Sequence, residues 1–127
     1  MGRMSRQKGK RGEREAAAEL GQLLSVDARR GVQYQGGPDS PDVVLDGVNV
    51  HVECKRTETL SIYRAIEQAT ADAGGKVPIV WHRRNGKPSL VIVETARLLE
   101  LVASLAPALS TKTLQNRAKT DATCEKP

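Results

Sequence analysis

Two spacings of apolar residues divide the chain into short segments, one spacing helical and the other extended. Apolar residues recur every three or four positions over residues 12–25 and again over residues 61–73, which predicts two amphipathic helices. Shorter apolar runs bounded by turn residues predict strands. The predicted strands are residues 29–35, 42–45, 48–56, 77–83 and 89–94. Thr95 is expected to cap a third helix that runs to about residue 105.

The order α-β-β-β-α-β-β-α predicts one α/β domain with a mixed β-sheet flanked by helices. The domain is expected to span residues 12–106. Residues 1–11 carry basic side chains and no acid, so we expect a flexible basic arm there. Residues 107–127 are polar with mixed charge, and we expect a disordered tail.

The charge of the chain favours a polyanionic partner. Its formal net charge is +5 and its pI is about 9.5. DNA is the first candidate, because cationic proteins bind phosphates by displacing counterions. No apolar run approaches the roughly 20 residues of a membrane span, so no membrane partner is expected. Cys54 and Cys124 are interpreted as free thiols of a cytoplasmic protein.

The segment 42–55 has the alternation of a β-hairpin with one chemical face. A two-residue turn at Asp46-Gly47 would place Asp42 opposite His51. Side chains alternate along a strand, so the two faces differ. Any connection with an even number of residues gives the same division. The polar face holds Asp42, His51, Glu53 and Lys55, and the apolar face holds Val43, Leu45, Val48, Val50, Val52 and Cys54. The alternative is a polar face that only meets solvent.

Glu13 lies in line with the apolar stripe of the first helix. Ala17, Leu20 and Leu24 follow it at helical spacing, so a carboxylate heads the stripe that should face the sheet. A buried charge needs a partner, and a divalent metal shared with Asp42 and Glu53 would provide one. The alternative is that Glu13 sits at the helix start, where it favours the positive end of the macrodipole.

Three carboxylates and a lysine suit phosphodiester hydrolysis. Mg²⁺ prefers oxygen ligands, and it activates water while stabilising the leaving oxygen. Lys55 could orient or activate the attacking water and balance the charge that develops on phosphorus.

The same residues resemble a known signature. Pro41-Asp42, followed about ten residues later by Glu53-Cys54-Lys55, matches the PD-(D/E)XK nuclease motif. Lys8-Gly9 with the run 12–15, and the segment His51–Lys55, are similar to archaeal-type Holliday junction resolvases and to small phage-borne nucleases with the same frame. The resemblance covers roughly residues 8–95 and implies a restriction-endonuclease-like fold.

The resemblance implies a Mg²⁺-dependent endodeoxyribonuclease, with Mn²⁺ able to substitute, that acts as a homodimer and cuts four-way DNA junctions by two opposed nicks. Glu13, Asp42 and Glu53 would bind the metal, Cys54 is included among the metal-binding positions, and Lys55 would assist the water. Gln68 is a candidate supporting residue. The alternatives are a nuclease for flaps or other duplex DNA, and a DNA-binding module without catalysis.

The expected DNA contacts are nine basic residues and one serine. They are Arg3, Arg6, Lys8, Lys10, Arg11, Arg14, Ser40, Arg56, Arg83 and Arg84. Trp81 is expected in the core rather than as a base-stacking platform, and His82 on the surface. The apolar residues of the third helix exceed what one stripe needs, so they could form a dimer interface or simply pack on the sheet.

Overall fold

The helices and strands follow the predicted order, with changed boundaries. In the computed structural model, the backbone is described for residues 2–31 and 42–109, and side chains are described for residues 9–31 and 42–109. The elements are α1 (Gly2–Leu24), β1 (Ala28–Arg30), β2 (Val43–Leu45), β3 (Val50–Arg56), α2 (Ile62–Asp72), β4 (Val77–Arg83), β5 (Leu90–Ile92) and α3 (Leu98–Leu105). Short 3₁₀ turns at Thr95–Arg97 and Ala106–Ala108 precede and follow α3.

The strands form one mixed sheet in the order β1-β2-β3-β4-β5. The first three strands pair antiparallel, β3 and β4 pair parallel, and β5 returns antiparallel to β4. The parallel pair is registered along its whole length, from Val50↔Val77 to Arg56↔Arg83. Parallel neighbours need a crossover connection, which α2 supplies. This topology places β3 in the middle of the sheet, between β2 and β4.

One face of the sheet is covered by α1 and carries the main core. The apolar face of the hairpin lies here as predicted, since Val43, Val50 and Val52 pack in one cluster with the α1 stripe. Trp81 is buried in the same cluster, which confirms the prediction of a core residue. Leu101 of α3 completes this layer. Almost all of these core side chains are aliphatic. They are stabilised by close packing, so α1 must lie close to the strands.

The opposite face is covered by α2, and its core is smaller. Ala65, Ile66 and Ala69 pack on Val80, which alternates with the main-core residues of β4. The polar residues of β3 project to this same face, because they alternate with Val50 and Val52. The fold therefore sets His51, Glu53 and Lys55 on the α2 side of β3, whereas α1 packs on the opposite face of the sheet.

The start of α1 differs from the prediction. The helix begins at Gly2, not near residue 12, so residues 2–11, expected to be a flexible arm, are helical. Arg, Lys, Gln and Met are good helix formers, and an apolar stripe is not required to continue a helix already nucleated by packing. Gly12 was interpreted as a boundary but is a packing residue. A Cβ there would lie 2.5 Å from the Cβ of Arg56.

The hairpin register also differs from the prediction. Val43 pairs with Val52, so the connection is four residues long (46–49) and Asp42 stands opposite Glu53 rather than His51. Backbone groups of this connection form hydrogen bonds with other segments of the chain. The Asp46 N–H donates to the Asp27 carbonyl, and the Asn49 carbonyl accepts from the Val77 N–H. These bonds to neighbouring segments replace a tight two-residue turn. Gly47, at φ 81°, provides the left-handed conformation that the connection needs.

The remaining corrections are at element ends. The first strand was predicted over residues 29–35, but β1 covers Ala28–Arg30. Residues 32–41 lie outside the described part of the chain. β5 covers only Leu90–Ile92. Thr95 does not cap α3, because it begins a 3₁₀ turn whose N-cap position is Glu94. The domain continues past residue 106, since Ala108 is buried in the main core, whereas residues 110–127 lie outside the described part.

Candidate active site

Asp42 is fixed by three backbone contacts just before β2. Its N–H donates to the Val52 carbonyl at 3.0 Å, and its carbonyl accepts from Gly31 at 2.9 Å. Its carboxylate accepts the Cys54 N–H at 2.8 Å through Oδ2. The side chain is therefore held against the middle of β3, directly beside Glu53.

Glu53 is a buried carboxylate, with only 5% of the residue exposed. Its two oxygens face different nitrogens: Oε1 lies 4.0 Å from Lys55 Nζ, and Oε2 lies 3.6 Å from His51 Nε2. Both distances exceed a hydrogen bond. Glu53 therefore lies between two nitrogen atoms and is too far from either to form a hydrogen bond with it.

The pairing of carboxylates changes the titration of Asp42. The pKa of Asp42 is raised from its ordinary 3.8 to about 7, first by burial and then by the nearby charges of Glu53 and Glu13, which together outweigh the lowering effect of the Cys54 N–H. Neighbouring acids disfavour the charged form in this way wherever no cation neutralises them. The site therefore favours an added positive charge.

Glu13 lies near Asp42 and Glu53, and its carboxylate is paired with an arginine of the fold. Its side chain is 20% exposed, and Arg30 Nε donates to its Oε2 at 2.8 Å. Because α1 begins at Gly2, Glu13 lies deep within the helix and the macrodipole interpretation is wrong. The required partner of this carboxylate is Arg30, which the sequence analysis did not identify.

Lys55 and Gln68 meet across the gap between β3 and α2. Lys55 Nζ donates to Gln68 Oε1 at 3.1 Å, and the lysine side chain is 28% exposed. Gln68 is exposed on α2. The amide holds the ammonium at the solvent side of Glu53, where a substrate could reach it.

The carboxylate oxygens of Asp42 and Glu53 are ligands of the kind that a hard cation such as Mg²⁺ prefers. Among the described residues, no group of three His, Cys, Asp or Glu side chains is arranged to hold a metal ion. Asp42 and Glu53 form a pair, and Mg²⁺ is commonly held by one or two carboxylates plus waters and phosphate oxygens. The raised pKa of Asp42 is what such a pair shows without a cation. Glu13 would add a third oxygen by releasing Arg30.

The Cys54 thiol does not face this pair. It packs against the main core, and burial, with the Asp42 charge next in importance, raises its pKa to about 12. The side chain of Cys54 is thus directed away from the carboxylate pair, and its assignment as a metal-binding position stays a prediction.

Comparison with known proteins finds a likeness among solved structures. No family model matches the chain, and no curated protein matches it. Among solved structures, it is similar to the Holliday junction resolvase Hjc of the archaeal hyperthermophile Archaeoglobus fulgidus, with a TM-score of 0.51 and 21% identity. The match covers 65% of this chain and 73% of the other. This protein has an archaeal-resolvase-like fold. The mixed-sheet prediction and the resemblance of fold are confirmed.

On this resolvase-like fold, the expected DNA-contacting residues divide into two groups. Lys10, Arg11 and Arg14 are exposed on the turns of α1 around Glu13, and Arg84 is exposed after β4. Arg56 and Arg83, in contrast, both bind Glu15, at 3.3 and 3.1 Å. Side chains of Arg3, Arg6 and Lys8, and all of Ser40, lie outside the described part.

The two histidines have different surroundings from those expected. His82 is buried rather than on the surface, and its Nε2 lies 2.9 Å from the Thr57 carbonyl. His51 is 1% exposed and stands behind Glu53, so direct contact with a DNA phosphate is excluded. None of the described helices is long and apolar enough to cross a membrane.

Proposed function

We propose that this protein is a Mg²⁺-dependent endodeoxyribonuclease that cuts four-way DNA junctions by paired nicks. The observation that carries the proposal is the placement of Asp42 directly opposite Glu53, with Lys55 two residues further along the strand on the same face. These residues lie in a fold similar to that of an archaeal junction resolvase. A binding module would gain nothing from adjacent acids, because carboxylates repel DNA phosphates unless a cation is bound.

Asp42 and Glu53 would hold the cation, with Mn²⁺ able to replace Mg²⁺ and Glu13 as an additional ligand. The bound ion supplies an activated water and stabilises the leaving oxygen. Asp42 is suited to hold it because its backbone bonds fix the carboxylate before any ligand arrives. Lys55, held by Gln68, places its ammonium where it can orient the water and balance charge on phosphorus.

The DNA backbone would be bound by cations that are exposed on the surface. Lys10, Arg11 and Arg14 lie on the same turns of α1 as Glu13, so a phosphate held by them would lie near the carboxylate pair. Arg84 could extend contact at the far end of β4. Arg56 and Arg83 are weaker candidates, because their binding to Glu15 would have to be given up.

A homodimer would supply the two sites that paired nicks require. Part of α3 and the edge strand β5 leave large apolar side chains in solvent. Leu99 is 82% exposed, and Leu98, Val102, Leu90 and Val91 are each about half exposed. Exposed large apolar side chains of this kind are candidates for an interface. A two-fold axis there would give one site per subunit on a substrate that itself has two-fold symmetry.

Cleavage of matched synthetic substrates tests the proposal. A four-way junction, a flap and a linear duplex of the same strands should be incubated with the protein, with Mg²⁺ and with EDTA. We expect symmetric nicks in the junction, only with Mg²⁺, and a mass in light scattering that corresponds to two chains. Equal cutting of flaps and duplex would indicate a nuclease without junction preference. Junction binding without cutting at any Mg²⁺ or Mn²⁺ concentration would contradict the enzyme and indicate a binding module.

A further inference from the structure

His51 occupies a position where an apolar residue would be expected. It lies in the central strand between Val50 and Val52, and only 1% of it is exposed. Its Nε2 is buried without a hydrogen-bond partner among the described residues. Such a nitrogen destabilises a fold by about 1–3 kcal/mol compared with a satisfied one. A buried polar atom kept without structural compensation points to a role other than folding.

The other buried histidine shows what a structural role looks like on this sheet. His82, in the adjacent strand, has its Nε2 2.9 Å from the Thr57 carbonyl, so its polarity is satisfied within the fold. Within the part of the chain that the structure describes, His51 Nε2 has no such contact, and Glu53 Oε2 lies 3.6 Å from it. A movement of about half an ångström would bring these two atoms to hydrogen-bond distance.

The two oxygens of Glu53 therefore have separate surroundings. Oε2 faces buried His51, whereas Oε1 faces Lys55, whose side chain reaches solvent. A carboxylate that binds a metal through one oxygen is commonly oriented by a donor on the other, and loss of that donor typically weakens metal binding 10–100-fold. His51 is placed to be this donor from behind the site.

We propose that His51 is a positioning residue that donates from Nε2 to Glu53 Oε2 and thereby presents Oε1 to the catalytic cation. This rests on the proposed metal-dependent function, which it deepens by naming the group that orients the central ligand. Residue 51 does not touch substrate or metal, and its burial explains why.

Binding of Mn²⁺ to the full-length protein, measured by calorimetry without DNA, tests the assignment. His51→Gln keeps an amide N–H near the position of Nε2, whereas His51→Leu keeps the approximate volume and removes the donor. We expect Leu to weaken Mn²⁺ binding about tenfold or more, and Gln to stay within about threefold of wild type. The matched control, His82→Gln, should leave Mn²⁺ affinity unchanged.

A second readout separates positioning from a purely structural role. Thermal unfolding without metal should show His51→Leu as stable as wild type or more so, since it removes an unsatisfied buried nitrogen. Weaker metal binding together with equal or higher stability supports the proposal. If Leu does not fold, His51→Asn, whose shorter amide cannot reach Glu53, replaces it in the comparison with Gln.

Two results would overturn the assignment of His51. The first is wild-type Mn²⁺ affinity in His51→Leu, and the second is an equal loss in the Gln and Leu variants. Wild-type protein that neither binds Mn²⁺ nor cuts DNA would be a different failure, because it contradicts the proposed function itself and removes the basis of the inference with it.

Discussion

Two acidic clusters that each include a glutamate of α1 solve the same electrostatic problem in opposite ways. In the first, Asp42, Glu53 and Glu13 lie close enough that the pKa of Asp42 rises to about 7. In the second, Glu15 lies between Arg56 and Arg83. Glu13 and Glu15 are two residues apart on one helix, so they project to nearly opposite sides of it. One side of α1 therefore reaches β1 and β2, and the other reaches β3 and β4.

The difference lies in whether each acid is neutralised within the fold. Glu15 has two arginines within 3.3 Å, and Arg56 also donates to the Arg83 carbonyl. The acid of the second cluster is therefore neutralised by residues of the fold, and these contacts link α1, β3 and β4. In the first cluster, burial and mutual repulsion outweigh the one backbone donor to Asp42. An arrangement that disfavours its own charges is typical of a site that awaits a ligand, whereas a neutralised one is typical of structure.

The largest effect should come from Glu53→Gln. We expect cleavage to fall on the order of 10³-fold, because the cation loses a central ligand oxygen. The free energy of unfolding should stay equal or rise, since repulsion with Asp42 disappears. Rate assays on junction DNA and urea unfolding measure the two effects. Glu67→Gln, which neutralises an exposed glutamate of α2, is the control. Cleavage near the wild-type rate would remove Glu53 from the site.

The second effect concerns the pH dependence of metal-free protein. Because the pKa of Asp42 is raised, folded protein keeps a proton that unfolded protein releases above about pH 4. This contribution to stability is present below about pH 4 and is lost as pH rises to about 7. The loss is at most about 4 kcal/mol and is smaller to the extent that Asp42 is solvated. Urea unfolding in EDTA across this range measures it.

Asp42→Asn provides the control for that pH dependence. The variant cannot titrate, so its unfolding free energy should fall less between about pH 4 and pH 7 than that of wild type. Mg²⁺ should restore stability to wild type at neutral pH and have little effect on the variant. Identical pH profiles for the two proteins would mean that the carboxylate pair is not strained.

The smallest effect should come from Glu15→Gln, in the neutralised cluster. We expect a loss of about 2 kcal/mol of stability, since Arg56 is nearly buried and would keep its charge without a carboxylate partner. The cleavage rate should stay within about twofold of wild type. A cycle with Arg83→Gln should give coupling below about 1 kcal/mol, because that arginine is more exposed. A large loss of cleavage without loss of stability would place Glu15 in the active site.

The sequence predicted which hairpin residues share a face better than it predicted the turn between the two strands. Asp42 and Glu53 were assigned to one face from strand alternation, and the division survives because a four-residue connection shifts the register by an even number. The predicted pairing of Asp42 with His51 was wrong, because the residue that stands opposite Asp42 depends on the length of the connection. That length is set by bonds from Asp46 and Asn49 to Asp27 and Val77, distant segments that local patterns do not reveal.

Partners of charged residues were the least predictable feature. Glu13 was expected to need a cation, but Arg30 could not be identified because it is far along the chain and in another element. Arg56 and Arg83 were expected at DNA, and only the approach of α1 to β3 reveals that Glu15 binds them. Gly12 permits that approach, yet in the sequence it looked like a helix boundary.

The sequence by itself determined the order of elements, the apolar and polar faces of the hairpin, and the residue types of the candidate site. These follow from periodicity and side-chain chemistry, which are local properties. Only the tertiary structure decided that His51 stands unsatisfied behind Glu53, and that neighbouring glutamates of α1 have different roles. Burial and pairing of charges depend on segments that meet in space, so no window of sequence contains them.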